Sequence, residues 1–150
     1  MAQVSLITQA MRSAVGVEGE AVVNEVEKGA IVKFAEAIGD SNPIYTNEAV
    51  ARKSQYGGII APPTFLRSMK GTVIPLEPEM PLHRRVDGGS DWEYFEPVRS
   101  GDRIVVTPKL KEIYERDGRL GRMVFLIKEI RYTNQLGEVV ALQRSTLIYY

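Results

Sequence analysis

The apolar positions of this chain change their period near residue 86, and that change divides it into two regions. Upstream, the residues of EAVVNEVEK alternate through Val22, Asn24 and Val26, which predicts a first strand. Ala30, Ile31, Phe34, Ala35 and Ile38 then recur at helical spacing, and Gly39 is a natural stop for that helix. GDSNP follows as a turn, because Pro43 disfavours a helical backbone at Asn42. TNEAVARKSQ predicts a short helix capped by Thr46 or Asn47 and ended by YGG. IIAPPTFLRSMKG predicts a buried, strand-like entry, a proline start and a further helix with Phe65, Leu66 and Met69 on its core side.

From Val86 onward the residues are β-branched and aromatic. SDWEYFEPV, DRIVVTPKLKEIYERDG, GRMVFLIKEIRYTNQLG and EVVALQRSTLIYY each predict a strand. Asp117-Gly118 predicts the tight turn of a hairpin, where positive φ is needed, and Asn134 to Gly137 predicts a second turn. Ser100-Gly101-Asp102 predicts another, with Gly101 at positive φ, and Asp102 reads as structural rather than catalytic. Pro108 inside a strand calls for a bulge or an edge position. Helices followed by long antiparallel strands make an α+β fold, with helix packed on one sheet face. The open edges of such a sheet suit a second subunit.

Composition narrows the class. A chain of 150 residues fits one domain over 1–150, with residues 1–19 as a flexible or helical N-terminal extension. The formal net charge is zero, which offers no electrostatic footprint for nucleic acid or an anionic membrane. Cysteine is absent, which removes disulfides and thiolate metal sites and suits a cytoplasmic protein. The start, MAQVSLITQAMRSAVG, lacks the pattern of a signal peptide, and no apolar run approaches the roughly 20 residues of a membrane span. His83 is the only histidine, so no imidazole-based metal site exists within one chain. Neither a metal nor another cofactor is expected.

Chemistry-bearing residues gather at one bend. FAEAIGDSNPIY sets Asp40, Asn42 and Tyr45 around a turn fixed by proline. Taken alone, Asp40 reads as a turn residue bonding its own backbone, and Tyr45 as a packing aromatic. Three segments place that bend in a wider pattern. GDSNPIY, IIAPPTFL and PVRSGDRI, in that order and at about these separations, resemble the N-terminal, histidine-lacking hot-dog half of the MaoC-like hydratase/dehydratase family, the FAS1-like dehydratase domain. YERDGRLGRMVF and RYTNQLGEVVALQRSTLIYY are similar to the later part of the same half, so the likeness runs from about Glu20 to Tyr150. It implies the hot-dog fold, an antiparallel sheet wrapped around a central helix, with APPTFLRSM as that helix.

In catalytic members of that family the bend has the form D-x-N-P-[LI]-H, and its Asp and His hold a water and move protons to and from an acyl thioester. Hydration by general acid–base catalysis needs two such groups. Their central helix opens with His-Gly, whose glycine amide steadies the developing oxyanion. Here the motif's Asp and Asn fall on Asp40 and Asn42, but Tyr45 stands where the histidine would be. A phenol with a pKa near 10 is a poor base at neutral pH. The His-Gly pair is matched by Pro62-Pro63, and Pro63 has no amide hydrogen to donate. The Thr64 amide is the nearest substitute. Loss of one oxyanion donor costs about two to three powers of ten in rate, and loss of a proton-transfer group a similar factor.

The resemblance therefore implies a non-catalytic or weakly catalytic subunit. It would pair with a second hot-dog chain that carries the intact motif, or with itself, and help to interconvert 2-enoyl and 3-hydroxyacyl thioesters such as acyl-CoA. Pro62, Pro63, Thr64 and Phe65 are the implied substrate-binding positions, beside Asp40, Asn42 and Tyr45 at the degenerate catalytic ones. Two alternatives stay open: an acyl-CoA-binding or scaffolding module without turnover, and a competent homodimer that uses Asp40 and Tyr45. His83 reads as an exposed loop residue beside Arg84 and Arg85, and Arg116, Arg119 and Arg122 as solvated hairpin charges. Either basic group could instead meet a CoA phosphate. Phe65, Trp92 and Phe95 would set the depth of an acyl tunnel, and each reads first as core.

Overall fold

A computed structural model describes residues 4–74 and 80–150. The start of the PEMPLHRR connection therefore lies outside the described residues. Five strands form one antiparallel sheet: β1 (Val22–Glu25), β2 (Arg85–Tyr94), β3 (Arg103–Gly118), β4 (Gly121–Thr133) and β5 (Val139–Tyr149). Their spatial order is β1-β3-β4-β5-β2, so the β3–β4–β5 meander lies at the centre and β2 forms an edge. Among the described residues, three short α-helices accompany it: α1 (Gln9–Ala14), α2 (Lys28–Ala37) and α3 (Glu48–Lys53). The α+β hot-dog fold expected from the sequence is the fold observed.

The helices end where their sequences say they should. Helix α2 buries Ile31 and Ala35, one turn apart on one stripe, and each is fully covered. Burial of Ile31 alone contributes about 1.5–3 kcal/mol. Gly39 stops the helix at φ +71°, and the Asp40 amide closes it on the Ala35 carbonyl at 2.9 Å. Of the two candidate caps for α3, Asn47 takes the role, its side chain accepting from the Val50 amide at 3.1 Å.

Three local expectations are corrected, and of the two offered for Pro108 the edge position is the one met. The segment APPTFLRSM forms only a six-residue 3₁₀ helix, Pro63–Ser68, and the longest helix is α2. Two consecutive prolines remove two amide donors at its start, leaving too short a run to propagate a longer helix. The β3–β4 turn lies two residues beyond Asp117-Gly118. Gly118 pairs with Gly121, Arg119 and Leu120 make the bend, and Gly121 takes the positive φ of 91°. Phe95 is half exposed rather than core. Pro108 is buried and sits opposite Ile130, with the bulge falling beyond it, between Leu110 and Glu112. It needs no amide there, because β1 ends its pairing at Val106 and only the Gly19 amide approaches, donating to the Pro108 carbonyl. The Gly101 and Asn134–Gly137 turns are as expected, with φ of 90° at Gly101 and 78° at Gly137.

Every second residue of a strand faces the same side. On one face of the sheet, Ile104, Val106, Ile130, Tyr132 and Val140 pack with Ile31, Ala35, Phe65 and Leu66. Farther along that face, Leu110, Val124 and Leu126 pack with Ile7 and Met11 of the N-terminal segment. Residues 4–19 are thus partly docked: Thr8 caps α1 by accepting from Met11, and the Leu6 amide bonds the Glu115 carboxylate. The opposite face carries an ion lattice around Glu129, which meets Lys109, Lys111 and Arg144 at 3.1–3.3 Å.

Candidate functional site

The bend after α2 is built from consecutive side-chain caps. Asp40 Oδ1 accepts the Asn42 amide at 3.0 Å, and Asn42 Oδ1 accepts the Ile44 amide at 3.2 Å. Pro43 opens a single 3₁₀ turn, Pro43–Tyr45, and the Tyr45 amide returns to the Asn42 carbonyl at 3.1 Å. The main chain is thereby fixed so that Tyr45 points inward and is buried, while Asn42 faces solvent and Asp40 is half-buried. The hydrogen bond that Asp40 accepts is the local one its turn-residue reading expects.

Tyr45 borders a cavity of about 280 Å³. Pro62 and Pro63 form another part of its wall, joined by Leu66, Tyr94 and Phe95. The wall is held together by main-chain bonds between elements distant in sequence: the Ala61 amide donates to the Val98 carbonyl at 2.8 Å, and the Ile60 amide to the Ile44 carbonyl at 3.4 Å. Such a cavity, mostly apolar with a few polar groups at its margin, is the usual form of a small-molecule site. Tyr45, Pro62 and Pro63 are thus brought together. Asp40, Asn42, Thr64 and Phe65 do not line the cavity. Phe65 is buried in the core, edge-on to Phe34 with ring centroids 5.5 Å apart, and Thr64 faces solvent.

Sequence reasoning missed Tyr56, Tyr94 and Glu96, all of which line the cavity. Glu96 supplies the one carboxylate in that wall. Only the tertiary structure carries β2 across the mouth, so nothing local in FEPV or QYGG marks these residues.

The electrostatics keep the phenol protonated and disfavour its use as a base. Burial, then the nearby Asp40 carboxylate, then Tyr56 raise the Tyr45 pKa above its ordinary value of 10.0. At neutral pH Tyr45 is a neutral hydroxyl able to donate a hydrogen bond. Pro63 can offer no amide to an oxyanion.

The other candidates lie elsewhere. His83 is exposed ahead of β2 and takes no part in the cavity wall. Arg116 rests over the Tyr114 and Phe125 rings at 5.1 and 5.9 Å, and Arg122 bonds the Val4 carbonyl. Asp102 is buried, accepting from the Arg99 amide at 2.8 Å and from Gln135 at 2.9 Å, and so locks the Gly101 turn. No group of three or more potential metal ligands exists among the described residues.

Comparison with known proteins yields one family and several relatives. The family model for the FAS1-like, dehydratase domain region matches residues 13–143. A UPF0336 protein of Streptomyces avermitilis is 40% identical over 95 residues, which are 59% of this chain and 63% of that protein. The match therefore spans less than two thirds of that relative. A probable enoyl-CoA hydratase alpha subunit of Thermomonospora curvata is 29% identical over 135 residues, 78% of this chain and 42% of that protein. Among solved structures, a MaoC-like dehydratase from Rhodospirillum rubrum superposes with a TM-score of 0.73 at 25% identity, covering 91% of this chain and 92% of that one.

Proposed function

Because the chain belongs to the FAS1-like dehydratase domain family, we propose that it is the weakly catalytic or non-catalytic subunit of an acyl-CoA hydro-lyase, acting on 2-enoyl and 3-hydroxyacyl thioesters. Its place in the assembly is to accommodate the acyl part of the substrate beside Tyr45, while a second hot-dog chain brings the Asp/His pair that moves protons. The observation that carries this reading is the cavity itself. Its wall holds a neutral phenol and two prolines, and the family resemblance implies an imidazole and a donating amide at those positions in hydrating members.

Two further observations support the partner role. Strand β2 lies at an edge of the sheet, pairing among the described residues with β5 alone, and its side chains are mostly exposed. A long open edge is a surface that another strand can extend. The relative from Thermomonospora curvata carries the description of an alpha subunit, which fits an assembly of unlike chains. No helix among the described residues is long and apolar enough to cross a membrane. A water-filled compartment such as the cytoplasm is where a CoA ester would be met.

The decisive experiment measures hydration of a short 2-enoyl-CoA by the purified chain, alone and with a hot-dog partner that carries D-x-N-P-x-H intact. The expected result is negligible turnover alone and strong turnover together, with Asp40→Ala changing the assembly's rate less than about threefold. Strong activity of the chain alone, abolished by Asp40→Ala, would replace this reading with a competent homodimer. Tight binding of the ester without turnover in any pairing would replace it with a binding module.

A further inference from the structure

The register of β4, β5 and β2 stacks the inner face of the sheet in rows. Tyr132, Ala141 and Tyr94 form one row, Ile130, Gln143 and Trp92 the next, and Lys128, Ser145 and Ser90 the third. Beyond them Leu126 faces Leu147 and Val124 faces Tyr149. A sheet face that carries a core is ordinarily apolar along its length. Here one apolar cluster lies around Tyr132 and Ile130 and another around Leu126 and Val124. Between the two runs a row with one ammonium and two hydroxyls.

Part of this polar seam is satisfied from within. The Tyr132 hydroxyl donates to Gln143 Oε1 at 3.3 Å, and Gln143 Nε2 donates to Ser90 Oγ at 3.3 Å. Lys128 is different. Its Nζ donates to the Thr72 carbonyl at 3.2 Å. None of the ion pairs among the described residues includes it. It opens on a second cavity, of about 190 Å³, whose wall also holds Ser145, Arg67 and Asp87. Burial lowers the Lys128 pKa, Asp87 opposes that shift, and Arg67 and Arg85 add to it. Among the described residues, Lys128 is therefore half-buried near the exposed side chains of Arg67, Arg85 and Asp87, with Arg67 and Asp87 sharing its cavity. Among those residues one exposed carboxylate, Asp87, faces this half-buried ammonium and two guanidinium groups, and an anion entering the cavity would offset the excess positive charge.

The geometry points to a binding pocket for a small oxyanion, a carboxylate or a phosphate, on the inner face of the sheet. Lys128 supplies the charge, and Arg67 and the Ser145 hydroxyl complete the contacts. The pocket is separate from the cavity beside Tyr45. Trp92 stacks on Tyr94 at 5.7 Å and on Tyr132 at 5.6 Å. Tyr94 lines the first cavity and Tyr132 the second, so this aromatic wall divides them. The inference does not depend on the hydro-lyase reading. The anionic group could end an acyl chain or belong to a phosphate ester, and the chemistry required of Lys128 is the same for both.

The test titrates inorganic phosphate and, separately, glutarate into the full chain with isotopically labelled lysine, at constant ionic strength, and follows the lysine Nζ and Cε resonances. The K128R variant, which lacks the Lys128 signal, identifies it. The expected result is a saturable shift of that signal at millimolar anion. By calorimetry, K128M should weaken binding about tenfold or more while K128R retains most of it. Saturation by phosphate alone identifies a phosphate-bearing ligand, by glutarate alone a carboxylate, and either outcome supports the pocket. Absence of saturable binding by both anions overturns it, as does binding that K128M leaves unchanged. Should K128M fail to fold, R67Q takes its place, with weakening of about threefold expected and unchanged affinity counting against the pocket.

Discussion

Two tyrosines divide the interior of this protein. Tyr132 lies at the centre of the sheet, fully covered, stacked on Trp92 and hydrogen-bonded to Gln143. Tyr45 lies at the end of a capped turn, 9% exposed, with a cavity beside it. Both are buried aromatics, and burial raises the pKa of both. Each ring also borders unfilled volume, Tyr45 the larger, mostly apolar cavity and Tyr132 the smaller, polar one beside Lys128. The difference is how each ring is held. Around Tyr132 strands close on the side chain and Gln143 takes its hydroxyl. Around Tyr45 three separate loops meet without filling the space between them. Burial therefore does not by itself tell a packing aromatic from one that lines a ligand-sized space.

The sharpest way to break this contrast is to truncate the Tyr132 ring. Tyr132→Ala should cost about 3–5 kcal/mol in urea unfolding, because the hole is walled by strands that cannot collapse into it. A loss below about 1 kcal/mol would show that the sheet centre is as loosely packed as the Tyr45 region.

Alkaline pH separates the two sites next. Tyr132 is pushed up to about 12 from 10.0 by burial, with Arg67 opposing and Tyr94 adding to that rise. A folded-state value above the unfolded one means that the neutral phenol stabilises the fold below pH 10. That contribution is lost as the pH rises through about 12. The loss amounts to about 2–3 kcal/mol, and Tyr132→Phe should remove it from the pH dependence of unfolding measured across that window.

The turn that carries Tyr45 offers a smaller effect. Asn42→Ala removes the side-chain cap on the Ile44 amide and should cost about 1 kcal/mol. Amide exchange should rise at residues 42–46 and remain unchanged in β3 and β4. The smallest effect is expected from Tyr45→Phe. Under the proposed function it should leave the partnered enzyme within about twofold in kcat/KM, and stability within about 0.5 kcal/mol. A loss of a hundredfold or more would give the Tyr45 hydroxyl a role in the chemistry and favour the homodimeric alternative.

Much of the fold could be read locally. The Thr46-Asn47 pair announced the start of α3, Gly39 the stop of α2, and the four long β-branched segments their strands. The failures have a common cause. Asp117-Gly118 and Arg119-Leu120-Gly121 both offer a bend, and the choice fell to the register of two long strands, which spreads its preference over many pairs. APPTFLRSM carries an apolar stripe suited to a helix, but two prolines and a short span reduce it to 3₁₀ turns. Phe95 reads as core by its chemistry, and only the path of β2 along the sheet edge leaves it half exposed beside the cavity.

By itself the sequence determined the kind of elements, the family, and the two departures at Tyr45 and Pro63, because these are properties of single residues and short spacings. Tertiary structure decided which of those residues face one another. It set Tyr45 opposite Pro62 and Pro63 while leaving Thr64 and Phe65 out of the wall. It aligned Lys128, Ser145 and Ser90, drawn from three strands, into one polar row. In RMVFLIKEIRYT the apolar residues fall on both faces, so the pattern alone does not show that Lys128 points inward. Pairing register supplies that information, and register belongs to the assembled sheet rather than to any one strand.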